Sequence, residues 1–178
     1  MKNLIIVTGG AGFVGTNLID LLLKKTSLKI FSLDNYSSGK SSNHIKNSRV
    51  KYIKGDTKKI SSIFNRYKKN INAIFHFGEF SRIYQSFKKF NQCYESNTIG
   101  SKEVFKFCLD NKIKLIYSAT SASLGNSGND KSLSPYAFTK AKNLELLENL
   151  RKWFNLKYEI VYFYNVYGPR QIKTGDMA

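Results

Sequence analysis

The chain has 178 residues, 42% of them hydrophobic and 14% aromatic, which is enough for one domain with a core of its own. Lysine and arginine outnumber the acids 29 to 12, giving a formal charge of +17. The lysines are scattered through every segment and no helix-turn-helix, RNA-recognition or zinc pattern accompanies them, so a nucleic-acid partner is not expected. No apolar run approaches the roughly 18 residues of a membrane span. The start, Met1-Lys2-Asn3, leads directly into Leu4-Ile5-Ile6-Val7 without a cleavage site. Cys93 and Cys108 belong to no CxxC pair or His/Cys cluster. The expectation is a soluble, cytoplasmic protein with reduced thiols, no membrane partner and no metal.

Short runs rich in β-branched residues alternate with longer amphipathic stretches. Strands are predicted over Leu4–Val7, Lys29–Leu33, Val50–Lys54, Ala73–Phe77, Lys114–Tyr117 and Tyr158–Tyr164. Helices are predicted over Phe13–Lys25, Ile60–Tyr67, Tyr94–Asn111 and Pro135–Phe154, the last opened by a proline suited to a first helical turn. This alternation is that of an α/β, Rossmann-type, doubly wound parallel sheet with helices on both faces. Asn35–Ser48, rich in Ser, Asn, Gly and Lys, reads as the most mobile loop. After Tyr164 there is only the turn Gly168-Pro169-Arg170 before the chain stops at Ala178.

Thr8-Gly9-Gly10-Ala11-Gly12-Phe13-Val14-Gly15 follows a predicted strand and opens a predicted helix. In that context the glycines have separate tasks: Gly9 permits the tight turn, Gly12 lets the backbone approach a pyrophosphate, and Gly15 allows close helix–strand packing. The helix start adds free N–H groups and positive potential, so the turn is expected to hold the pyrophosphate of a dinucleotide. Asp34 ends the second predicted strand at the spacing where a carboxylate accepts hydrogen bonds from an adenosine ribose. A carboxylate there would repel a 2′-phosphate, which favours NAD over NADP, although Lys40 lies close by.

Tyr136 and Lys140 are four residues apart, and so on one face of the predicted helix. A phenol serves as a base near neutrality only where positive charge beside it favours the phenolate. Alone the pair is weak evidence; behind a dinucleotide turn it becomes specific.

With these motifs together the chain resembles the extended short-chain dehydrogenase/reductase family, in its nucleotide-sugar epimerase and dehydratase branch, and is most similar to UDP-glucose 4-epimerase-like members. The resemblance rests on Thr8–Gly15, Asp34-Asn35, Gly55-Asp56, Phe75-His76-Phe77-Gly78, Asn97, Ser118–Gly125, Tyr136 with Lys140, and Tyr164–Arg170. It implies a cofactor site of Gly9, Gly12, Phe13, Val14, Gly15, Asp34, Asn35, Asp56, Thr57, Phe77, Gly78, Asn97, Tyr136 and Lys140. Within it, Asp56 would approach the adenine, while Lys140 would hold the nicotinamide ribose and tune Tyr136. It implies Thr120, Tyr136 and Lys140 as catalytic residues, and Glu79, Thr120, Asn165 and Arg170 beside the substrate. Homodimerisation through the Tyr94–Asn111 and Pro135–Phe154 helices is also implied.

Thr120-Ser121-Ala122 lacks the acids that dehydratases and decarboxylases of this family carry after the hydroxyl residue. The resemblance therefore points to 4-epimerisation of a UDP-hexose, with transient oxidation at C4 through Tyr136. A heptose epimerase, a reductase, a dehydratase or a dinucleotide-binding module without turnover are the alternatives. Leu124 and Gly78-Glu79 depart from the family pattern, which bears on sugar placement. Family members continue into a C-terminal substrate domain, so residues 1–178 are expected to form an NAD-binding domain from the N-terminal part of a longer epimerase.

Overall fold

The structure is a computed structural model and describes residues 2–172; the last segment, 173–178, lies outside the described residues. Six strands form one parallel sheet: β1 (Leu4–Thr8), β2 (Lys29–Asp34), β3 (Val50–Lys54), β4 (Ile71–His76), β5 (Lys114–Thr120) and β6 (Tyr158–Phe163). Their order is β3-β2-β1-β4-β5-β6. The order reverses between β1 and β4, which opens a crevice at their carboxyl ends.

All five residues of β1 are buried, as expected of a central parallel strand covered on both faces. Leu4 and Ile6 join one apolar layer, with Ile60, Phe64, Val104, Phe105 and Leu147. Ile5 and Val7 join the other, with Ile19 and Ile30. The alternation follows from the two-residue period of a strand. The first layer is roofed by α2 (Ile60–Phe64), α5 (Ser101–Asp110) and α6 (Pro135–Phe154), and the second by α1 (Phe13–Lys25).

Two short helices, α3 (Ile83–Lys88) and α4 (Phe90–Tyr94), were not anticipated. The second runs through a π-helical segment, Glu95–Gly100, into α5, so the helix expected from Tyr94 begins earlier and is widened in the middle. The stretch expected as one helix to Tyr67 leaves α geometry at Phe64 and ends as a 3₁₀ turn, Asn65–Asn70. Ser134 caps α6, accepting from the Ala137 amide at 3.0 Å, with Pro135 at the first helical position. Cys93 and Cys108 are free and fully buried. Among the described residues no helix is long and apolar enough to cross a membrane.

Candidate dinucleotide and substrate cleft

A cleft of about 980 Å³ opens where the strand order reverses. Its floor is the glycine turn. Gly9 has φ +71°, and a Cβ there would lie 2.7 Å from the Phe77 carbonyl oxygen; only glycine tolerates both demands. At Gly15 a Cβ would lie 2.2 Å from the Gly9 carbonyl oxygen, so the start of α1 can sit against the turn only without a side chain. No side chain caps α1 and no acid occupies its first turn, leaving its amides and positive end directed at the cleft.

Asp34 is buried at the end of β2. Its Oδ2 accepts from the Ala11 amide at 2.9 Å and Oδ1 from the Tyr36 amide at 2.8 Å. The carboxylate thus ties the loop after β2 to the glycine turn, and each oxygen keeps a further acceptor site. An open helix terminus, a bare turn and a fixed carboxylate fit the pyrophosphate and ribose of a dinucleotide.

The cleft is also lined by Phe13, Val14, Asn35, Thr57, Phe77, Gly78, Glu79, Thr120, Tyr136, Lys140, Asn165 and Arg170. Most of the residues singled out from sequence therefore converge, from all along the chain, on one crevice. Two do not line it. Asp56 caps the turn before α2, accepting from the Lys58 amide at 2.9 Å and from Asn35 Nδ2 at 3.3 Å. Asn97 is wholly buried: Oδ1 accepts from the Phe80 amide at 2.7 Å, and Nδ2 donates to the Phe80 carbonyl at 3.0 Å and to Thr139 Oγ1 at 3.2 Å. In this structure Asn97 is a strut that fixes the chain after β4.

Glu79, expected beside the substrate, is likewise occupied by protein. Its side chain and that of Lys140 are buried against each other, Nζ donating to Oε2. Oε1 accepts from Ser101 Oγ at 2.6 Å, Tyr117 Oη at 3.1 Å and Asn143 Nδ2 at 3.0 Å. Lys140 also donates to the Ser118 carbonyl and faces Ser118 Oγ at 3.3 Å. Its three protons are therefore committed within the protein.

Burial, then the Glu79 carboxylate, push the Tyr117 phenol well above its usual value, so it stays a donor. Ser101, having given its proton to Glu79, accepts from His76 Nε2 at 2.9 Å. The other ring nitrogen, Nδ1, then accepts from Thr8 Oγ1 at 2.7 Å. Thr8 Oγ1 in turn accepts from the Phe77 and Gly78 amides at 3.1 and 3.0 Å. Complete burial holds His76 neutral, its pKa lowered to about 4. One buried chain of hydrogen bonds thus joins the end of β1 to Lys140. Sequence reasoning missed it because its members are up to 132 residues apart, from Thr8 to Lys140; the unusual Glu79 was its one visible trace.

Thr120 ends β5 and Oγ1 accepts from the Ala122 amide at 3.3 Å, leaving its proton for another acceptor. Tyr136 opens α6 and is held by its amide, which donates to Ser86 Oγ at 3.3 Å. Arg170 donates to Asn17 Oδ1 at 2.8 Å. Among the described residues no cluster of His, Cys, Asp and Glu could hold a metal.

A parallel sheet of this order with a glycine turn at its crossover defines a dinucleotide-binding Rossmann domain. Residues 5–178 match the model of the NAD dependent epimerase/dehydratase family, and the chain belongs to that family. Similar solved structures include UDP-glucose 4-epimerase from Thermotoga maritima with UDP-glucose, at 26% identity and a TM-score of 0.88, over 98% of this chain and 60% of that one. UDP-N-acetylglucosamine 4-epimerase from Methanobrevibacter ruminantium, in complex with UDP-N-acetylmuramic acid, is 29% identical with a TM-score of 0.86, over 100% of this chain and 60% of that one. UDP-glucose 4-epimerase from Thermus thermophilus, in complex with NAD, is 25% identical with a TM-score of 0.85, over 98% and 59%. The chain thus spans about 60% of the length of the structures it matches.

Proposed function

We propose that this chain is the NAD-binding part of a nucleotide-sugar epimerase of the UDP-glucose 4-epimerase kind. The observation that carries the reading is the joint placement of Thr120, Tyr136 and Lys140 on the cleft that also contains the Gly9–Gly15 turn. Asp34 favours NAD over NADP, since a second anion beside its carboxylate would be repelled. When bound, the dinucleotide would supply a reversible hydride acceptor. Tyr136 removes the proton from the sugar hydroxyl and returns it after the sugar has presented its other face. Thr120 donates to the sugar oxygen, and Asn165 and Arg170 contribute polar groups to the substrate side. A homodimer and a cytoplasmic setting belong to the same reading.

The test is interconversion of UDP-glucose and UDP-galactose by the chain, with its downstream region where one exists. Tyr136→Phe is expected to lower turnover by at least about a hundredfold while NAD binding persists. Failure of any nucleotide sugar to reduce bound NAD would sink the enzyme reading. The commitment of all three Lys140 protons to Glu79 and Ser118 favours a second reading, a dinucleotide-binding module without turnover. In that case NAD binds, Tyr136 is intact, and no sugar is converted.

A further inference from the structure

The cations around the cleft are not equivalent. Lys140 is neutralised by Glu79, Arg170 donates to Asn17, and Lys40 is exposed at the rim. Arg82 lines the same cleft, and its Nε is buried with no hydrogen-bond partner among the described residues. Burial alone lowers its guanidinium from the ordinary range; no carboxylate offsets the loss of water. A guanidinium whose Nε–H is left without an acceptor in a partly desolvated place is costly, and an oxyanion in the cleft accepting from the fork would offset that cost.

The position of Arg82 says which bound molecule would bring the oxyanion. The residue ends the loop after β4 and precedes α3. Its carbonyl accepts from the Ser86 amide at 3.1 Å, and Ser86 Oγ accepts from the Tyr136 amide at 3.3 Å. Arg82 is thereby linked through one residue to the start of α6, on the Tyr136 side of the cleft. The dinucleotide's pyrophosphate has its own place at the start of α1.

We propose that Arg82 is a substrate-recognition residue whose guanidinium binds an oxyanion of the nucleotide sugar, either its diphosphate or a carboxylate on the sugar. The assignment rests on the nucleotide-sugar reading above. A planar fork matches either anion in two-point contact; on the diphosphate Arg82 contributes affinity for every nucleotide sugar, and on a sugar carboxylate it also sets substrate choice.

Titration calorimetry of the unaltered chain, Arg82→Gln and Arg82→Lys with UDP, UDP-glucose, UDP-glucuronate and NAD tests this without reliance on turnover. Arg82→Gln is expected to weaken the anion-bearing substrate about tenfold to a hundredfold and to leave NAD unchanged. Arg82→Lys is expected to fall between, because it keeps the charge and loses the fork. Equal weakening of UDP, UDP-glucose and UDP-glucuronate assigns Arg82 to the diphosphate; weakening confined to UDP-glucuronate assigns it to a sugar carboxylate. Unchanged uridine-nucleotide affinity, or loss of NAD affinity to the same extent, overturns the proposal. No binding of any uridine nucleotide by the unaltered chain, with NAD still bound, overturns the underlying substrate reading and the assignment with it.

Discussion

Glu79 draws Lys140 and Asn143 of α6, Tyr117 of β5 and Ser101 of α5 to a single carboxylate. Removing one member of a buried ion pair strands the other charge, so Lys140→Met is expected to cost about 3–5 kcal/mol in urea unfolding. Adding Glu79→Gln to Lys140→Met should recover part of that loss; simple additivity would show that the two side chains do not depend on each other. His76 gives the same network a pH dependence. Its folded pKa, about 4, lies below the ordinary 6.5, so the unfolded chain takes up the proton first. Stability should fall as the pH drops from about 6.5 to about 4, by something on the order of 3 kcal/mol, and His76→Gln should flatten that stretch of the profile. The sequence makes Tyr136, Lys140 and Thr120 visible as chemical groups because their types and spacing are local. It could not reveal that Lys140 is paired with a residue 61 positions away, nor that Asn97 spends both ends of its amide on Phe80.

At the level of elements, caps and contacts at helix starts set the cleft. Ser134→Ala removes the acceptor for the Ala137 amide at the first turn of α6 and should cost about 1 kcal/mol by chemical denaturation. Because that turn carries Tyr136, the loss should also loosen the Tyr136 end of the cleft. The helices α1 and α6 were legible because each is long, periodic and marked at its start by glycine or proline. The helix α3 was not: it has six residues, too few for a period to be read, and its apolar residues Ile83, Tyr84 and Phe87 are all largely exposed rather than packed in the core. The π-helical stretch at Glu95–Gly100 is hidden for a related reason, since its widening depends on contacts such as Asn143 Nδ2 with the Asn97 carbonyl at 2.6 Å.

For the molecule as a whole, the strand order creates the crevice and the binding of a dinucleotide in it should stabilise the fold. At about a hundred times its Kd, NAD should contribute about 2.7 kcal/mol, raising Tm by roughly 5–10 °C. Gly15→Ala, which drives a methyl group onto the Gly9 carbonyl, should abolish that rise as well as lower Tm without ligand. A Gly15→Ala chain that still gained the full increment would show that the turn is not where the dinucleotide binds. The parallel, doubly wound order was legible from the alternation of strands and helices because right-handed crossovers leave few other arrangements. The convergence of Arg82 with Tyr136 was not, because it depends on where the short α3 packs.

The two sulfhydryls, Cys93 and Cys108, are sealed in the interior, and burial raises both thiols. Thiolate is the reactive form, so a chromogenic disulfide can report on them only during excursions that let solvent in. The protein therefore carries its own clock for such excursions. Where closing outpaces the exchange reaction, saturating dinucleotide should slow the release of colour by about the factor 1 + [L]/Kd, roughly a hundredfold at a hundred times Kd. Occupancy of a crevice at one end of the sheet could then be timed by sulfur chemistry beneath its helices, with no sugar turned over.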